Sequence, residues 1–344
     1  MSAAGDTRRG ARLGGDRSDR SGFYGIERRN AAELELVIAG AGAAGLSAAL
    51  YASLLDINYL IFDAEAGGGL MNLAKQVENL PGMGGLRGPA ITERLLKQLA
   101  AAGGSLRSYE AVVAIEPPPS GSGLLAVRTT RERFRPKAVI IATGLELLGL
   151  EQEFGIANER QFLGKGLSYC AECDGPLFRG KRVLVAGNPF DAFLLKRLAR
   201  EVIYLGPVPS EYRAQVPREI IEANDILYRE GAVTALEGTS RLEAILVDGE
   251  HLPIDGLFLT KRKAGGEVFA RAGVDLDDQG FIRVDRHLAT SAAGIYACGD
   301  ITGEPWQIAK SVGEGAVAAL SVFKYLTGQE MRNLGWALRD EWEP

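Results

Sequence analysis

The sequence predicts an α/β protein of two Rossmann-like, three-layer (ββα/βαβ) domains, one of them discontinuous and carrying the other as an insertion. Three observations predict it. The strand LELVIAG runs into the turn Gly40-Ala41-Gly42-Ala43-Ala44-Gly45 and an Ala-rich helix, and a second strand, NYLIFDAE, ends in acids. In mid-chain the strand KRVLVAG, a helix over FDAFLLKRLAR and the strand EVIYLG repeat that layout. Near the end, GIYACGDITGEP and a helix over AKSVGEGAVAALSVFKYL read as a return to the first domain. The predicted bounds are 31–150 with 278–330 for the discontinuous domain and 151–277 for the insert, with tails at 1–30 and 331–344.

Each element has its own reason. Residues 1–30 are rich in Arg, Gly and Asp and lack the apolar core of a signal peptide, so they read as a tail draped on the surface or a docking arm. Leu36 to Leu55 is twenty residues without a charge, long enough to cross a bilayer. Its layout of short strand, glycine turn and Ala-rich helix instead predicts an interior element, and no membrane span is expected. A glycine loop, AGGGLMN, and a turn, ENLPGMGG, precede a helix over Pro89 to Ala101. The segment PPPSGSG reads as a hairpin tip or loop, and the strand KAVIIATG closes the first half. The last residues, TGQEMRNLGWALRDEWEP, form a tail with Trp336 and Trp342.

In the first fingerprint, Gly40 permits the tight turn and Gly42 lets a pyrophosphate approach the backbone. Gly45 lets helix and strand pack closely, and the helix N-terminus supplies N–H donors. Asp63 ends the next strand at the spacing of a ribose-binding acid.

The 344 residues carry a formal net charge of −5, which leaves no basic excess for phosphates and argues against nucleic acid as a partner. Three cysteines are too few for a secreted disulfide framework, and a cytoplasmic location is expected. Cys170 and Cys173 are spaced C-x-x-C, close enough to form a small redox disulfide with lowered thiol pKa. Asp174 follows directly and is placed to serve as the proton source that exchange needs. Two readings compete: a structural C-x-x-C, and half of a zinc site. The zinc reading would need Cys298, His251 or His287, none of which is in ligand spacing, and no metal is expected. Cys298 itself reads as a small buried residue rather than a third redox thiol.

The segment GKGLSYCAECDG, together with GGGL (Gly67 to Leu70), VENLPG, IIATG and ACGD, resembles the low-molecular-weight thioredoxin reductases over roughly residues 34–328. The resemblance implies FAD held by Gly40, Gly42, Ala44, Gly45, Asp63, Gly69, Leu70, Asn79, Thr143, Gly144 and Asp300, with Gln307 and Ile308 near the isoalloxazine ring. It implies that Cys173 faces the flavin and that Cys170 exchanges with a thioredoxin-like or other dithiol/disulfide protein. A homodimer is implied in the same way. One departure is visible: where the family has Arg before that Gln, this chain has Trp306.

The second fingerprint departs further. Its three positions fall on Gly187, Pro189 and Ala192, and proline has no N–H for a phosphate. Proline at the first turn of a helix is structurally comfortable, so the fold is expected to survive where the phosphate site fails. The next strand leads into YLGPVPSEYR, without the family's basic cluster for a 2′-phosphate and with no base before Arg213. It also lacks the acid that NADH would want. Electron transfer between FAD and the cysteine pair without NADPH is therefore expected. Electrons would pass through a ferredoxin-type donor, a dithiol protein, or a second FAD in the vacated groove. Phe190, Phe193, Tyr204, Trp306 and the tail tryptophans are candidates to stack on such a flavin. The alternatives are an NADPH-dependent or ferredoxin-dependent reductase and a non-catalytic flavin redox sensor.

Overall fold

The structure, a computed structural model, describes residues 33–117, 124–151 and 155–328. The loop tip at 118–123, the N-terminal tail and the tail tryptophans fall outside them. A five-stranded parallel sheet runs in the order Ile295–Ala297, Ala138–Ile141, Leu36–Ala39, Tyr59–Phe62 and Leu106–Arg107. Its central strands are apolar at every position because both faces are covered. Leu36, Ile38 and Ile140 face the helices Ala43–Leu54 and Ile308–Thr327; Val37, Val139 and Ile141 face a layer holding Ile115 and Val127. That second layer is the antiparallel sheet Val112–Glu116, Ala126–Thr129 and Arg133–Phe134. The three layers are the predicted ones.

The helix Ala43–Leu54 is almost all alanine, glycine and leucine because it is caught between the sheet and the C-terminal helix. A Cβ on Gly315 would lie 2.1 Å from the carbonyl oxygen of Ala44, so the two helices cross with backbone nearly in contact. Ser47 fixes the crossing by donating to the carbonyl of Val312 at 2.7 Å. The apolar run Leu36 to Leu55 is thus an interior strand and helix, and among the described residues no helix is long and apolar enough to cross a membrane.

The second parallel sheet has the order Leu227–Glu230, Glu201–Gly206, Arg182–Ala186, Gly256–Leu259 and Leu167–Ser168. Val183, Val185 and Val202 pack on the helices holding Ala192, Leu195 and Ile221, while Leu184, Ile203 and Leu257 pack on Leu236, Ile245 and Val247. The last three belong to the antiparallel sheet Val233–Glu237, Ala244–Val247 and Glu250–Pro253, so the three-layer plan is repeated.

The chain crosses between the two halves at Leu145–Leu147 and again at Arg262–Ala264. These crossings pair with each other as a two-stranded antiparallel ladder, with Arg262 opposite Leu147 and Ala264 opposite Leu145.

Candidate active site

The fingerprint turn has the geometry its residues call for. Gly40 sits at φ +101°, and a Cβ there would lie 2.3 Å from the carbonyl oxygen of Ala142. A Cβ on Gly45 would lie 1.8 Å from the carbonyl oxygen of Gly40, which is the close approach of helix to strand. Gly42 differs: nothing lies within 4 Å of the position a Cβ would take. The helix that follows has no side-chain cap and no acid in its first turn. Its first N–H groups have no partner within the helix, and the positive end of the dipole lies behind them.

Other predicted residues gather round this turn. The Asp63 carboxylate accepts from Ala41 N–H at 2.7 Å and from Glu65 N–H at 2.8 Å, which leaves lone pairs for a ribose hydroxyl. The glycine loop is drawn in by Gly68 N–H donating to Ala41 carbonyl at 2.7 Å, and a Cβ on Gly69 would lie 3.5 Å from Gly42 Cα. Thr143 lies beside Gly40, and Gly144 takes φ +68° with open space before it. Asp300 accepts from Ser311 Oγ at 3.1 Å, and burial raises its carboxyl pKa. A Cβ on Gly299, one residue earlier, would lie 2.8 Å from the Ala44 side chain, which sets Asp300 at the fingerprint helix. An open, uncapped helix end with an acid at the next strand fits the diphosphate and ribose of FAD.

The redox pair lies in a separate segment. Cys170 and Cys173 are bonded, with Cα atoms 5.3 Å apart, and Cys170 caps the short helix Ala171–Asp174 by accepting Cys173 N–H at 3.1 Å. Asp174 accepts from Ser168 Oγ at 2.7 Å, and Ser168 Oγ accepts from Cys170 N–H at 3.0 Å. Burial raises the Asp174 pKa, opposed by the Ser168 hydrogen bond and the nearby Lys75 charge. The protonated, donating form therefore persists to higher pH than for an ordinary aspartate and is lost as pH rises through the raised value. Asp174→Asn is expected to lower disulfide turnover by about a hundredfold or more and to remove the fall in rate on the alkaline side of that pKa. A pH–rate profile of both forms checks it, and identical profiles would assign the proton to another group.

Gln307 joins the two regions. Its Oε1 accepts from Asn79 Nδ2 at 2.8 Å, and its Nε2 donates to Glu172, inside the C-x-x-C. Ile308 follows at the start of the C-terminal helix and packs on the cluster of Met71 and Ile91. Leu70 packs in a small cluster with Leu145, Ala264, Phe281 and Trp306. Thus the structure brings the redox segment against the residues expected at the flavin ring. Cys298 is fully buried, which pushes its thiol pKa far up and makes it inert. His251 pairs with Glu237 at 3.2 Å, and among the described residues no cluster of His, Cys, Asp and Glu is placed to hold a metal ion.

The second fingerprint is closed. Asn188 caps the helix Pro189–Lys196 by accepting Phe190 N–H at 3.0 Å, and its own N–H donates to Thr260 Oγ1 at 3.0 Å. Asp191 N–H turns back to the Asn188 carbonyl at 3.2 Å, and Pro189 has no N–H. At this helix end Pro189 has no N–H to offer, and the backbone N–H groups of Asn188, Phe190 and Asp191 are already used. Asp191 adds a carboxylate in the first turn, where burial pushes its pKa up to about 6.

The groove corrects two expectations about its walls. Tyr204 is fully buried, donates to the Gly187 carbonyl at 2.6 Å and stacks on Tyr228, so it belongs to the core and offers no platform for a ring. Cations do reach the groove, from a strand the sequence did not single out. A cavity of about 440 Å³ is lined by Lys261 and Arg262 together with Tyr212, Phe281 and Trp306. Arg213 is turned aside, donating to the Val208 carbonyl at 3.1 Å. The KRK run at 261–263 was the available signal, but a charge run on its own reads as a solvated surface.

A dinucleotide cradle facing a bonded cysteine pair defines a class: an FAD-dependent disulfide oxidoreductase. The sequence pattern of the pyridine nucleotide-disulphide oxidoreductase family matches residues 34–315, and the chain belongs to that family. It is similar to the thioredoxin reductase of Treponema pallidum, at 30% identity over 316 residues, covering 86% of this chain and 97% of that one. The thioredoxin reductase of Ureaplasma parvum is 31% identical over 308 residues, covering 85% and 97%. Among solved structures, thioredoxin reductase from Streptococcus pyogenes superposes with a TM-score of 0.76 at 26% identity, covering 87% of this chain and all of that one. T. acidophilum thioredoxin reductase has a TM-score of 0.56 at 32% identity, covering 87% and 99%.

Proposed function

We propose that the protein is a thioredoxin-reductase-like flavoenzyme that exchanges electrons between FAD and the Cys170–Cys173 disulfide without using NADPH. The observation that carries this reading is the end of the helix Pro189–Lys196, where Pro189 has no N–H, the backbone N–H groups of Asn188, Phe190 and Asp191 are bonded internally, and Asp191 stands in the first turn. Burying the diphosphate there would mean breaking the Asn188 cap, worth about 1 kcal/mol, and setting the diphosphate against a carboxylate.

Bound FAD supplies a two-electron acceptor and donor. The chain's own residues do the rest, within a flavin domain at 31–150 and 278–330 and a disulfide domain at 151–277. Gly42 and the fingerprint helix take the diphosphate, Asp63 the ribose, and Asn79, Gln307 and Ile308 the ring region. Cys173 faces the flavin. In the reducing direction the disulfide takes two electrons and two protons, one of them from Asp174, and becomes a dithiol. The Cys170 thiolate then attacks a partner disulfide to form a mixed disulfide. Attack by Cys173 on the Cys170 sulfur releases the partner dithiol and restores the starting bond. A thioredoxin-like partner is carried over from the relatives' substrate.

The competing reading, an NADPH-dependent reductase, draws on the relatives' activity and on Lys261 and Arg262 at the groove. Anaerobic titration with NADPH separates the two. Flavin absorbance is expected to stay unbleached; rapid bleaching would overturn the reading. Flavin content of the same sample counts the flavins: about two per chain favours a second FAD whose diphosphate lies away from the end of the helix Pro189–Lys196, whereas one leaves a protein donor, ferredoxin-type or dithiol.

A further inference from the structure

Arg262 occupies an unusual place for a cation. It sits on the second crossing strand, and burial lowers its pKa although Asp191, Asp300, Glu172 and Glu304 all favour its charge. One terminal nitrogen, Nη2, donates to the carbonyl of Tyr169 at 2.9 Å, immediately before Cys170. Its guanidinium lies 4.5 Å from the centroid of the Trp306 ring, immediately before Gln307. The Trp306 ring also stacks with that of Phe281, with centroids 6.1 Å apart. Arg262 Nε has no hydrogen-bond partner, so this side chain is spent on one backbone carbonyl and one ring. Those two contacts adjoin the disulfide and the flavin-face glutamine.

We propose that Arg262 is a positioning residue that holds the Cys170–Cys173 segment against the flavin face. The inference rests on electrons passing between flavin and disulfide. The guanidinium is suited to the task because it is planar, stays charged and satisfies a carbonyl and a ring face at once. The crossing ladder at Leu145–Leu147 gives it a fixed base. Arg262 joins the first residue before the redox pair to the first residue before Gln307, closing a second link beside Asn79–Gln307–Glu172.

The test separates reduction of the disulfide from passage of electrons to the flavin. Holoenzyme is mixed anaerobically with dithiothreitol, and thiol appearance and flavin bleaching are followed together. In R262A the disulfide is expected to be reduced at the wild-type rate, while bleaching slows by about tenfold to a hundredfold, the loss that misplacing reacting groups brings. Dithionite should still bleach its flavin fully. R262K, which keeps the charge without the planar stack, is expected to recover part of the rate. Should R262A fail to fold, W306L removes the ring under the guanidinium and should slow bleaching in the same way. Bleaching at the wild-type rate in either variant overturns the role of Arg262. Equal slowing of thiol appearance and bleaching also overturns it, as it would show general damage. If dithiol leaves the wild-type flavin oxidised, the electron path fails, and the role of Arg262 fails with it.

Discussion

Replacing Cys173 with serine is expected to abolish electron transfer between the dithiol and the flavin, with turnover falling at least about a thousandfold. The serine hydroxyl cannot form the bond that Cys170 and Cys173 share, and under the proposed function it leaves no sulfur to pass electrons to the flavin. Flavin content and thermal stability should change little, because the lost disulfide closes a loop with only two intervening residues within a four-residue helix, and the N–H that Cys173 donates to Cys170 is a backbone one. Dithionite should still bleach the variant while dithiothreitol should not. A Cys173→Ser protein that kept full turnover would show that the redox centre has been wrongly assigned and would favour a structural role for the pair.

The second large effect is expected at Gly45. A methyl group there would meet the Gly40 carbonyl oxygen at 1.8 Å, and both sides of the clash are backbone. Overpacking of side chains costs about 1–3 kcal/mol, and a backbone clash that no rotamer relieves should cost more. Against a total margin of about 5–15 kcal/mol, Gly45→Ala should yield a chain that melts much lower and purifies with little flavin. Gly42→Ala makes the informative contrast, since a Cβ there touches nothing and φ is −71°. It should fold with unchanged thermal stability in the flavin-free form and yet retain flavin poorly. Equal melting temperatures for the two flavin-free variants would contradict the separation of a packing glycine from a ligand glycine.

Much of the first site was legible because its rules are local. G-x-G-x-x-G, an acid after the next strand and a C-x-x-C each occupy a few adjacent residues with fixed spacing. Pro189 was legible for the same reason, and the structure adds what one residue could not say: the Asn188 and Thr260 side chains take the N–H groups of Phe190 and Asn188. Three features were out of reach. The three-layer plan was legible, but the individual strands of the antiparallel layers, such as Val112–Glu116 with Ala126–Thr129, are short and their half-polar pattern gives little periodicity. The ladder between Leu145–Leu147 and Arg262–Ala264 pairs three-residue strands across the whole insert, and no sequence spacing encodes such a partner. Arg262 then follows from that ladder, which carries it to Trp306. Tyr204 was misjudged because an aromatic residue on a strand looks the same in sequence whether it stacks on a ligand or on Tyr228.

The strand order of the first sheet also governs how the protein must emerge during synthesis. Ala138–Ile141 lies between Leu36–Ala39 and Ile295–Ala297, so one of its two hydrogen-bonding edges is satisfied only by a strand near the end of the chain. At about 5–20 residues per second, the roughly 150 residues between them take on the order of ten seconds to translate. Through that interval a wholly apolar strand presents a bare ladder edge, and the helix Ile308–Thr327 that covers Leu36 and Ile140 is also missing. The insert can meanwhile complete its own sheet, whose strands all lie within residues 167–259 and their flanks. The nascent protein therefore has a finished inner half and an unfinished outer one, and its yield should depend on chaperones that shield that single edge until the last strand arrives.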